Sequence, residues 1–145
     1  MNVIFDVDGT LLNIEHRRHF VSNGNNDWES FLDPVVMEKD TPNWPVVEIA
    51  RKIQQDVELV VVSARNERHR EVTQKQLEAC GLHPAHLFLR PDGDFRSDKE
   101  FKQEVLDSLR NNGWEPNLVF DDRNQVVEMW RANGVPCFQV ADGDF

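Results

Sequence analysis

The stretch VIFDVDGTLL at residues 3–12 constrains the fold more than any other part of the chain. Its apolar residues predict a strand at residues 3–7 that is buried inside a sheet, and Asp6 and Asp8 lie at the carboxyl end of that strand. Side chains two positions apart in a strand point to the same side, so the two carboxylates can share a pocket if the strand reaches Asp8. Because neighbouring carboxylates repel each other, such a pair needs a cation or a shared proton. The stretch therefore indicates a functional site.

Strands and helices alternate along the rest of the chain. Four more buried strands are predicted, at residues 59–62, 86–89, 118–120 and 137–140, and four helices, at residues 45–55, 67–80, 98–112 and 124–133. The third of these helices opens with a capping box, in which Ser97 is followed three positions later by Glu100. The polar segment before residue 45 contains one short predicted helix, at residues 27–32. This order predicts an α/β fold with a parallel sheet and helices on both of its faces.

Length, charge and cysteine content limit the class of protein. A chain of 145 residues corresponds to a single domain, and no apolar run is long enough to cross a membrane. The formal net charge of -10 argues against generic binding along a nucleic-acid backbone but allows a local cationic pocket for one phosphate. Cys80 and Cys137 fit neither a disulfide framework nor a metal site. With no secretion signal at the N-terminus, these thiols indicate the cytoplasm.

Polar side chains follow three of the predicted strands. In a parallel sheet the carboxyl ends of the strands meet at one edge, which is where ligands bind in such folds. We therefore expect three groups to gather there. They are Asp6 and Asp8 after the first strand, Ser63 and Arg65 after the second, and Asp121 and Asp122 after the fourth.

These residue types are suited to the chemistry of phosphate monoesters. Carboxylates hold Mg²⁺, and one carboxylate can attack phosphorus while another moves a proton. Ser63 offers a hydroxyl and Arg65 a guanidinium to phosphoryl oxygens. Asp98 and Lys102 lie four positions apart on one helical face, so Asp98 can orient Lys102 towards the phosphate.

Each pattern also has a purely structural interpretation when it is taken alone. An Asp-x-Asp-Gly sequence is most often a turn, a serine can simply end a strand, and Asp98 with Lys102 can be a surface ion pair. Three aromatic residues of the polar segment allow two interpretations as well. Phe20, Trp28 and Phe31 can stack on a terminal base or form a small local core.

Several motifs together resemble one known superfamily. FDVDGTLL at residues 5–12, VVVSAR at residues 60–65, a helical lysine and an Asp-Asp pair after a strand resemble the haloacid dehalogenase (HAD) superfamily of phosphotransferases. The sequence DDRNQVVEMWR at residues 121–131, followed by Gly-Val and a closing QVADGDF, is similar to the phosphatase domain of tailed-phage polynucleotide kinase/phosphatase.

The resemblance implies a single Rossmann-like (HAD) domain over residues 1–145, a three-layer α/β/α sandwich with a short cap at about residues 13–44. It implies a Mg²⁺-dependent 3′-phosphatase for DNA or RNA ends that forms an aspartyl-phosphate, with 2′,3′-cyclic phosphates as further substrates. The implied site consists of catalytic Asp6, Asp8 and Lys102, of Arg17, Ser63, Arg65 and Asp98 at the substrate phosphate, and of metal-side Asp6, Asp8, Asp121 and Asp122. The resemblance implies that Asp8 binds the metal through its backbone carbonyl.

The chain departs from the resemblance in two respects. It contains no Gly-x₄-Gly-Lys-[Ser/Thr] phosphate loop, so a kinase activity is not encoded in it, and residues 18–44 match poorly. Implied partners are a separate kinase or ligase acting on the same ends in nucleic-acid repair, and a homodimer is compatible with the pattern. The implied location is the cytoplasm, that of the host if the chain is encoded by a bacteriophage. Two alternatives remain, a small-molecule phosphatase such as a nucleotidase and a non-catalytic phosphate-binding module.

Overall fold

The computed structural model describes residues 1–145, which form a five-stranded parallel sheet and a separate two-stranded ribbon. In chain order the strands are β1 (Val3–Phe5), β2 (Leu12–Asn13), β3 (Thr41–Pro42), β4 (Leu59–Asn66), β5 (His86–Arg90), β6 (Leu118–Asp121) and β7 (Cys137–Gln139). The sheet has the order β5-β4-β1-β6-β7, and β2 pairs antiparallel with β3 in the ribbon. Because β1 is the central strand, the residues that follow it lie in the middle of the sheet edge.

Helices cover both faces of the sheet. In chain order they are α1 (Glu15–Arg18), α2 (Trp28–Phe31), α3 (Pro34–Met37), α4 (Trp44–Ile53), α5 (Arg70–Ala79), α6 (Asp98–Asn111) and α7 (Asn124–Ala132). Val3 and Phe5 enter a core with α4 and α5, whereas Ile4 enters a second core with α6 and α7, because adjacent strand residues face opposite ways. None of the helices combines the length and the apolar character that crossing a bilayer requires.

The structure confirms the predicted three-layer α/β fold and the order of its main elements. The ends of β5, β6 and β7 differ from the prediction by one residue, and those of β1 and β4 differ by more. β4 continues to Asn66, because Ser63 and Asn66 still pair with β5 across a shift in register. β1 ends at Phe5, so Asp8 lies in the following turn, and the expected strand alternation does not place Asp6 and Asp8 together.

Residues 13–44, which we call the insert, follow the first motif and end at the first residue of α4. The insert contains three four-residue helices, of which only α2 was predicted. The carboxylate of Asp27 accepts a hydrogen bond from the Ser30 backbone N–H at the start of α2, and Asp33 accepts one from Val35 at the start of α3. The backbone N–H of Asn43 donates to the carbonyl of Leu11 at 2.9 Å, which anchors the end of the insert beside its beginning.

Candidate active site

Three buried carboxylates meet at the carboxyl edge of the sheet, where β1 and β6 end side by side. Asp6 directly follows β1, Asp121 is the last residue of β6, and Asp122 comes next. Phe5 pairs in register with Phe120, so the residues after them are brought together. One carboxylate oxygen from each of the three aspartates lies within 4.8 Å of the other two.

Lys102 connects two of these carboxylates. Its Nζ donates to Asp6 Oδ1 and to Asp121 Oδ2, each at 2.8 Å, and Trp130 Nε1 also donates to Asp121 Oδ2, at 3.2 Å. Burial favours the neutral amine, but Asp121 and Asp6 outweigh it and hold the pKa of Lys102 above its usual value. Lys102 is therefore a buried, permanently charged group. We call Asp6, Lys102, Asp121 and Asp122 the carboxylate half of the site.

When its three carboxylates are ionised, the carboxylate half carries an excess of negative charge, since they face one ammonium group. Burial and the neighbouring Asp121 and Asp122 raise the pKa of Asp6 well above its usual value, against the opposing effect of Lys102. Burial and Asp121 likewise raise the pKa of Asp122 to about 7. Hard divalent cations prefer oxygen ligands of this kind, so the donor set and its surplus charge fit a metal ion such as Mg²⁺.

Gly9 and Thr10 pack closely against two carboxylates of this half. Gly9 has a φ of +80°, and a Cβ atom there would lie 2.1 Å from Asp122 Oδ2, so only glycine permits both the turn and the close approach. The Thr10 hydroxyl donates to Asp6 Oδ2 at 3.2 Å. The Gly-Thr pair in the first motif therefore shapes the pocket around Asp6.

A second set of charged side chains lies beside the first. Asp8 accepts hydrogen bonds from Arg17 Nη2 at 2.7 Å and from Arg65 Nη2 at 2.7 Å, and Arg65 Nε also donates to it at 3.1 Å. Burial alone would raise the pKa of Asp8, but Arg65 and Arg17 outweigh it and hold the pKa well below its usual range. Asp8 is therefore ionised while both guanidinium groups contact it.

Asp40, from the insert, completes this set and was not singled out by the sequence. Its fully buried side chain accepts from Arg17 Nε at 2.8 Å and Arg17 Nη2 at 2.7 Å, and from Arg65 Nη2 at 3.1 Å. His16 Nε2 lies 2.7 Å from Asp40 Oδ1. No spacing rule identifies Asp40, and the only available signal was that two buried arginines require nearby carboxylates. We call Asp8, Arg17, Asp40 and Arg65 the arginine half of the site.

One predicted contact is wrong. Asp98 does not orient Lys102, because it accepts instead from Arg90 Nη2 at 2.6 Å and from Arg123 Nη1. Lys102 reaches past it to Asp6 and Asp121. The spacing does place both residues on α6, but the more strongly buried carboxylates are the partners of the lysine.

The two remaining predicted residues have different positions relative to the cavity. Ser63 is buried and lines it, and its Oγ accepts from the Arg65 backbone N–H at 3.2 Å. Arg17 is fully buried and is not among the residues that line the cavity, so it contacts the site through Asp8. Its guanidinium lies over the ring of Phe31, 4.5 Å from the centroid.

A single cavity of about 760 Å³ opens from both halves of the site. It is bounded by the sheet edge, by α2 of the insert and by the loop between β5 and α6. Of the site residues, those that line it are Asp6, Asp8, Ser63, Arg65, Asp98, Lys102, Asp121 and Asp122. The volume is within the usual range for small-molecule sites and exceeds what a phosphate group alone requires.

The parallel sheet, with paired aspartates after its central strand and a buried lysine between carboxylates, defines a HAD-like phosphatase, a hydrolase. Solved structures of such enzymes share the fold. A hydrolase from Streptococcus pneumoniae TIGR4 matches with a TM-score of 0.63 and 16% identity, covering 97% of this chain and 92% of that one. A HAD-superfamily hydrolase of subfamily IA from Geobacter sulfurreducens PCA matches with a TM-score of 0.63 and 15% identity, covering 95% and 85%.

Within this class, residues 1–145 match the family described as the polynucleotide kinase PNKP phosphatase domain (HAD_PNKP), and the chain belongs to that family. A structure of a Pnkp1/Rnl/Hen1 complex contains a similar chain, with a TM-score of 0.82 and 31% identity. The match covers 99% of this chain and 47% of that one, so this chain spans about half the length of that relative. A structure of the Pnkp1/Rnl/Hen1 RNA repair complex gives a TM-score of 0.81 and 31% identity, covering 99% and 43%.

Proposed function

We propose that this phosphatase is a Mg²⁺-dependent enzyme that removes 3′-phosphates from DNA or RNA ends, and that it also acts on 2′,3′-cyclic phosphates. The observation that carries the proposal is the pairing of a carboxylate half around Asp6 with an arginine half around Asp8 in a chain of this family. The site residues keep the roles that the sequence suggested for them, except for the contact between Asp98 and Lys102.

Asp6 is the proposed nucleophile. One of its carboxylate oxygens attacks phosphorus as the bond from phosphorus to the 3′-oxygen breaks, which gives an aspartyl-phosphate and a 3′-hydroxyl. Water then attacks the phosphorus of this intermediate, regenerates the Asp6 carboxylate and releases inorganic phosphate. Lys102, held 2.8 Å from Asp6 Oδ1, places a fixed positive charge where negative charge develops.

Asp8 is the proposed proton carrier. It gives a proton to the departing 3′-oxygen and takes one from the attacking water. The two guanidinium groups on Asp8 oppose protonation in the free enzyme, and Arg65 has the stronger effect. A phosphoryl group that binds the N–H donors of Arg65 relieves part of this effect, so substrate binding itself prepares Asp8 to carry a proton.

The metal ion would be held by Asp6, Asp122 and the backbone carbonyl of Asp8. Asp121 lies beside Asp6 and Asp122 and would add negative charge next to the ion. When bound, Mg²⁺ supplies positive charge to the phosphoryl oxygens. Ser63, whose hydroxyl lines the cavity, donates to one of these oxygens, while Arg17 keeps Asp8 in position.

The insert is the proposed cap of a single domain. Glu29 and Leu32 of the insert line the cavity beside the catalytic edge, and Asp40 connects the insert directly to the arginine half. We also propose that a separate ligase or kinase acts on the same ends, since relatives occur in complexes named for Pnkp1, Rnl and Hen1. We also propose that the chain can form a homodimer. Cys80 and Cys137 are both buried and free, which supports a reducing cytoplasm, that of an infected host if the chain is encoded by a phage.

A comparison of substrates tests the proposal. We expect kcat/KM for a 3′-phosphorylated oligonucleotide to exceed that for the 5′-phosphorylated isomer and for a 3′-mononucleotide. DNA and RNA versions of the same oligonucleotide, and a 2′,3′-cyclic end, complete the series. The cavity is large enough for a mononucleotide, which makes a nucleotidase the second candidate. Preference for the free mononucleotide would establish that second function and refute the first.

A further inference from the structure

Two aromatic and one basic side chain are among the exposed residues that line the active-site cavity and take no part in the catalytic steps. Trp28 comes from α2 of the insert, Arg68 from a 3₁₀ turn at Glu67–His69 that follows β4, and Phe95 from the loop between β5 and α6. Asp6 and Lys102, by contrast, are buried at the inner end of the same cavity. We call Trp28, Arg68 and Phe95 the outer group.

Both aromatic rings of the outer group are unusually accessible. Phe95 is 95% exposed and Trp28 is 41% exposed, whereas Phe31 of the same insert is 4% exposed. Phe31 also lines the cavity but is packed into the local core, whereas Trp28 is the member of the sequence-predicted aromatic set whose ring is exposed there. The Trp28 ring meets Phe31 edge-on, at 5.5 Å between centroids, and the face of Phe31 packs on Arg17. Trp28 is thus supported by the arginine half, while part of its surface is free to bind a ligand.

Arg68 differs from the other arginines that line the cavity. Arg65, Arg90, Arg96 and Arg123 each form an ion pair with a carboxylate, but Arg68 forms none. Its Nε lies 3.3 Å from His69 Nε2, and its backbone N–H donates to Asp92 Oδ1 at 3.3 Å. Asp92 lies in the same loop as Phe95, so the backbone contact joins the Arg68 turn to that loop. Arg68 is the cavity cation whose charge is not already matched by a carboxylate.

We propose that the outer group binds the end of the substrate in two ways. The 3′-terminal nucleobase stacks on Trp28 and Phe95, and Arg68 binds the adjoining phosphodiester. The inference rests on the proposed function and names its substrate more closely, as an unpaired end of at least two nucleotides. Stacking on aromatic rings requires a free base face, which a base inside a duplex stack offers poorly. A single unpaired arginine provides for one phosphodiester, in keeping with an acidic protein that does not follow a long backbone.

The first experiment compares W28A, F95A and the double variant with wild type. The substrates are a single-stranded 3′-phosphorylated pentanucleotide and para-nitrophenyl phosphate. The readout is kcat/KM for the pentanucleotide divided by kcat/KM for para-nitrophenyl phosphate. We expect this ratio to fall about tenfold for each ring removed, mainly through a higher KM for the pentanucleotide. Phe138→Ala and Trp44→Ala are matched controls, because these exposed aromatic residues lie outside the cavity, and they should leave the ratio unchanged.

The second experiment removes the 3′-terminal base from the substrate and leaves Trp28 and Phe95 in the enzyme. An abasic site at the 3′-terminal nucleotide should lower kcat/KM of the wild type by a factor similar to that of the double variant. In the double variant the abasic site should have little further effect, because the two changes remove the same contact. Multiplicative losses, or equal losses on para-nitrophenyl phosphate, would show that the rings act elsewhere and would overturn the proposal.

The third experiment concerns the adjoining phosphodiester. Arg68→Ala should weaken binding of a 3′-phosphorylated dinucleotide several-fold relative to a 3′-phosphorylated mononucleoside, which has no such phosphodiester. Arg51→Ala, at an exposed arginine outside the cavity, is the matched control. An equal effect of Arg68→Ala on both substrates would overturn its assigned role.

Failure of this proposal can be told apart from failure of the proposed function. If wild type hydrolyses para-nitrophenyl phosphate but does not prefer the 3′-phosphorylated oligonucleotide, the proposed function is wrong. If wild type prefers the oligonucleotide and the aromatic variants behave like wild type, only the outer group is wrongly assigned. A blunt duplex provides a further measure, because wild type should prefer the unpaired end and the double variant should lose that preference.

Discussion

The two halves of the site differ in charge balance, although they are neighbours in one cavity. In the arginine half, two carboxylates and two guanidinium groups contact one another, and the pKa of Asp8 is low. In the carboxylate half, three carboxylates share one ammonium group, and the pKa of both Asp6 and Asp122 is raised. The charges of the arginine half balance one another, whereas in the carboxylate half Lys102 balances only part of the negative charge of the ionised carboxylates. Loss of one carboxylate should therefore have opposite effects on stability in the two halves.

The largest expected effect comes from Asp6→Asn. Asparagine has almost the same shape but is a very poor nucleophile, so turnover should fall by at least about three orders of magnitude. Because one of three mutually repelling carboxylates is lost, the melting temperature without metal should stay level or rise. Initial rates and thermal unfolding measure the two effects. Asp56→Asn, at an exposed carboxylate away from the site, is the matched control. Near-normal activity of Asp6→Asn would refute the covalent mechanism.

Removal of metal should have the next largest effect, because it acts on the half in which three carboxylates share one ammonium group. EDTA should abolish activity and added Mg²⁺ should restore it, while Asp122→Asn should raise the Mg²⁺ concentration required. At a hundredfold excess over Kd, Mg²⁺ should add about 2.7 kcal/mol to the free energy of unfolding. Thermal scans across a Mg²⁺ titration measure this gain. Full activity in excess chelator would contradict the assignment of the carboxylate half as a metal site.

Asp40→Asn tests the opposite sign in the arginine half. The substitution leaves the buried Arg17 and Arg65 with less negative charge around them, so the free energy of unfolding should fall by about 3 kcal/mol. We expect kcat/KM to fall about tenfold, because Arg65 is no longer held towards the phosphate. Asp33→Asn, at an exposed helix cap of the insert, should have little effect, because asparagine also caps helices. A melting temperature of Asp40→Asn equal to that of wild type would show that the balance between the halves has no energetic consequence.

The smallest expected effect is the dependence on salt and substrate length. Arg65 and Lys102 in the site and Arg68 beside it are the proposed phosphate contacts, and the other cavity arginines, Arg90, Arg96 and Arg123, are paired with Asp94 or Asp98. The logarithm of kcat/KM against the logarithm of salt concentration should have a shallow slope, equivalent to about two phosphates, the terminal one and the adjoining phosphodiester. Rates for a series of 3′-phosphorylated oligonucleotides should stop improving beyond a few nucleotides. A rise that continues past about ten nucleotides would require an extended basic surface outside the site.

Local sequence patterns predicted the framework of this site well. The apolar runs located the strands, Ser97 and Glu100 form the expected capping box, and Asp121-Asp122 end a strand as expected. Parallel topology then brings Asp6 and Asp121 to one edge, because adjacent strands end there in register. These features depend on residues close together in the chain or on the repeating geometry of the sheet, and both can be predicted from the amino-acid order.

Only the tertiary structure decided which charges meet. Asp98 and Lys102 lie on one helix as predicted, yet Lys102 pairs with Asp6 and Asp121, and Asp98 pairs with Arg90 and Arg123. The physical reason is that long charged side chains choose their partners through burial and distance in space, which sequence spacing does not encode. Asp40 is a second residue whose contacts the sequence spacing does not predict. It lies in an irregular insert with no periodic pattern, and it belongs to the site only because the fold brings it to within 3.1 Å of Arg65.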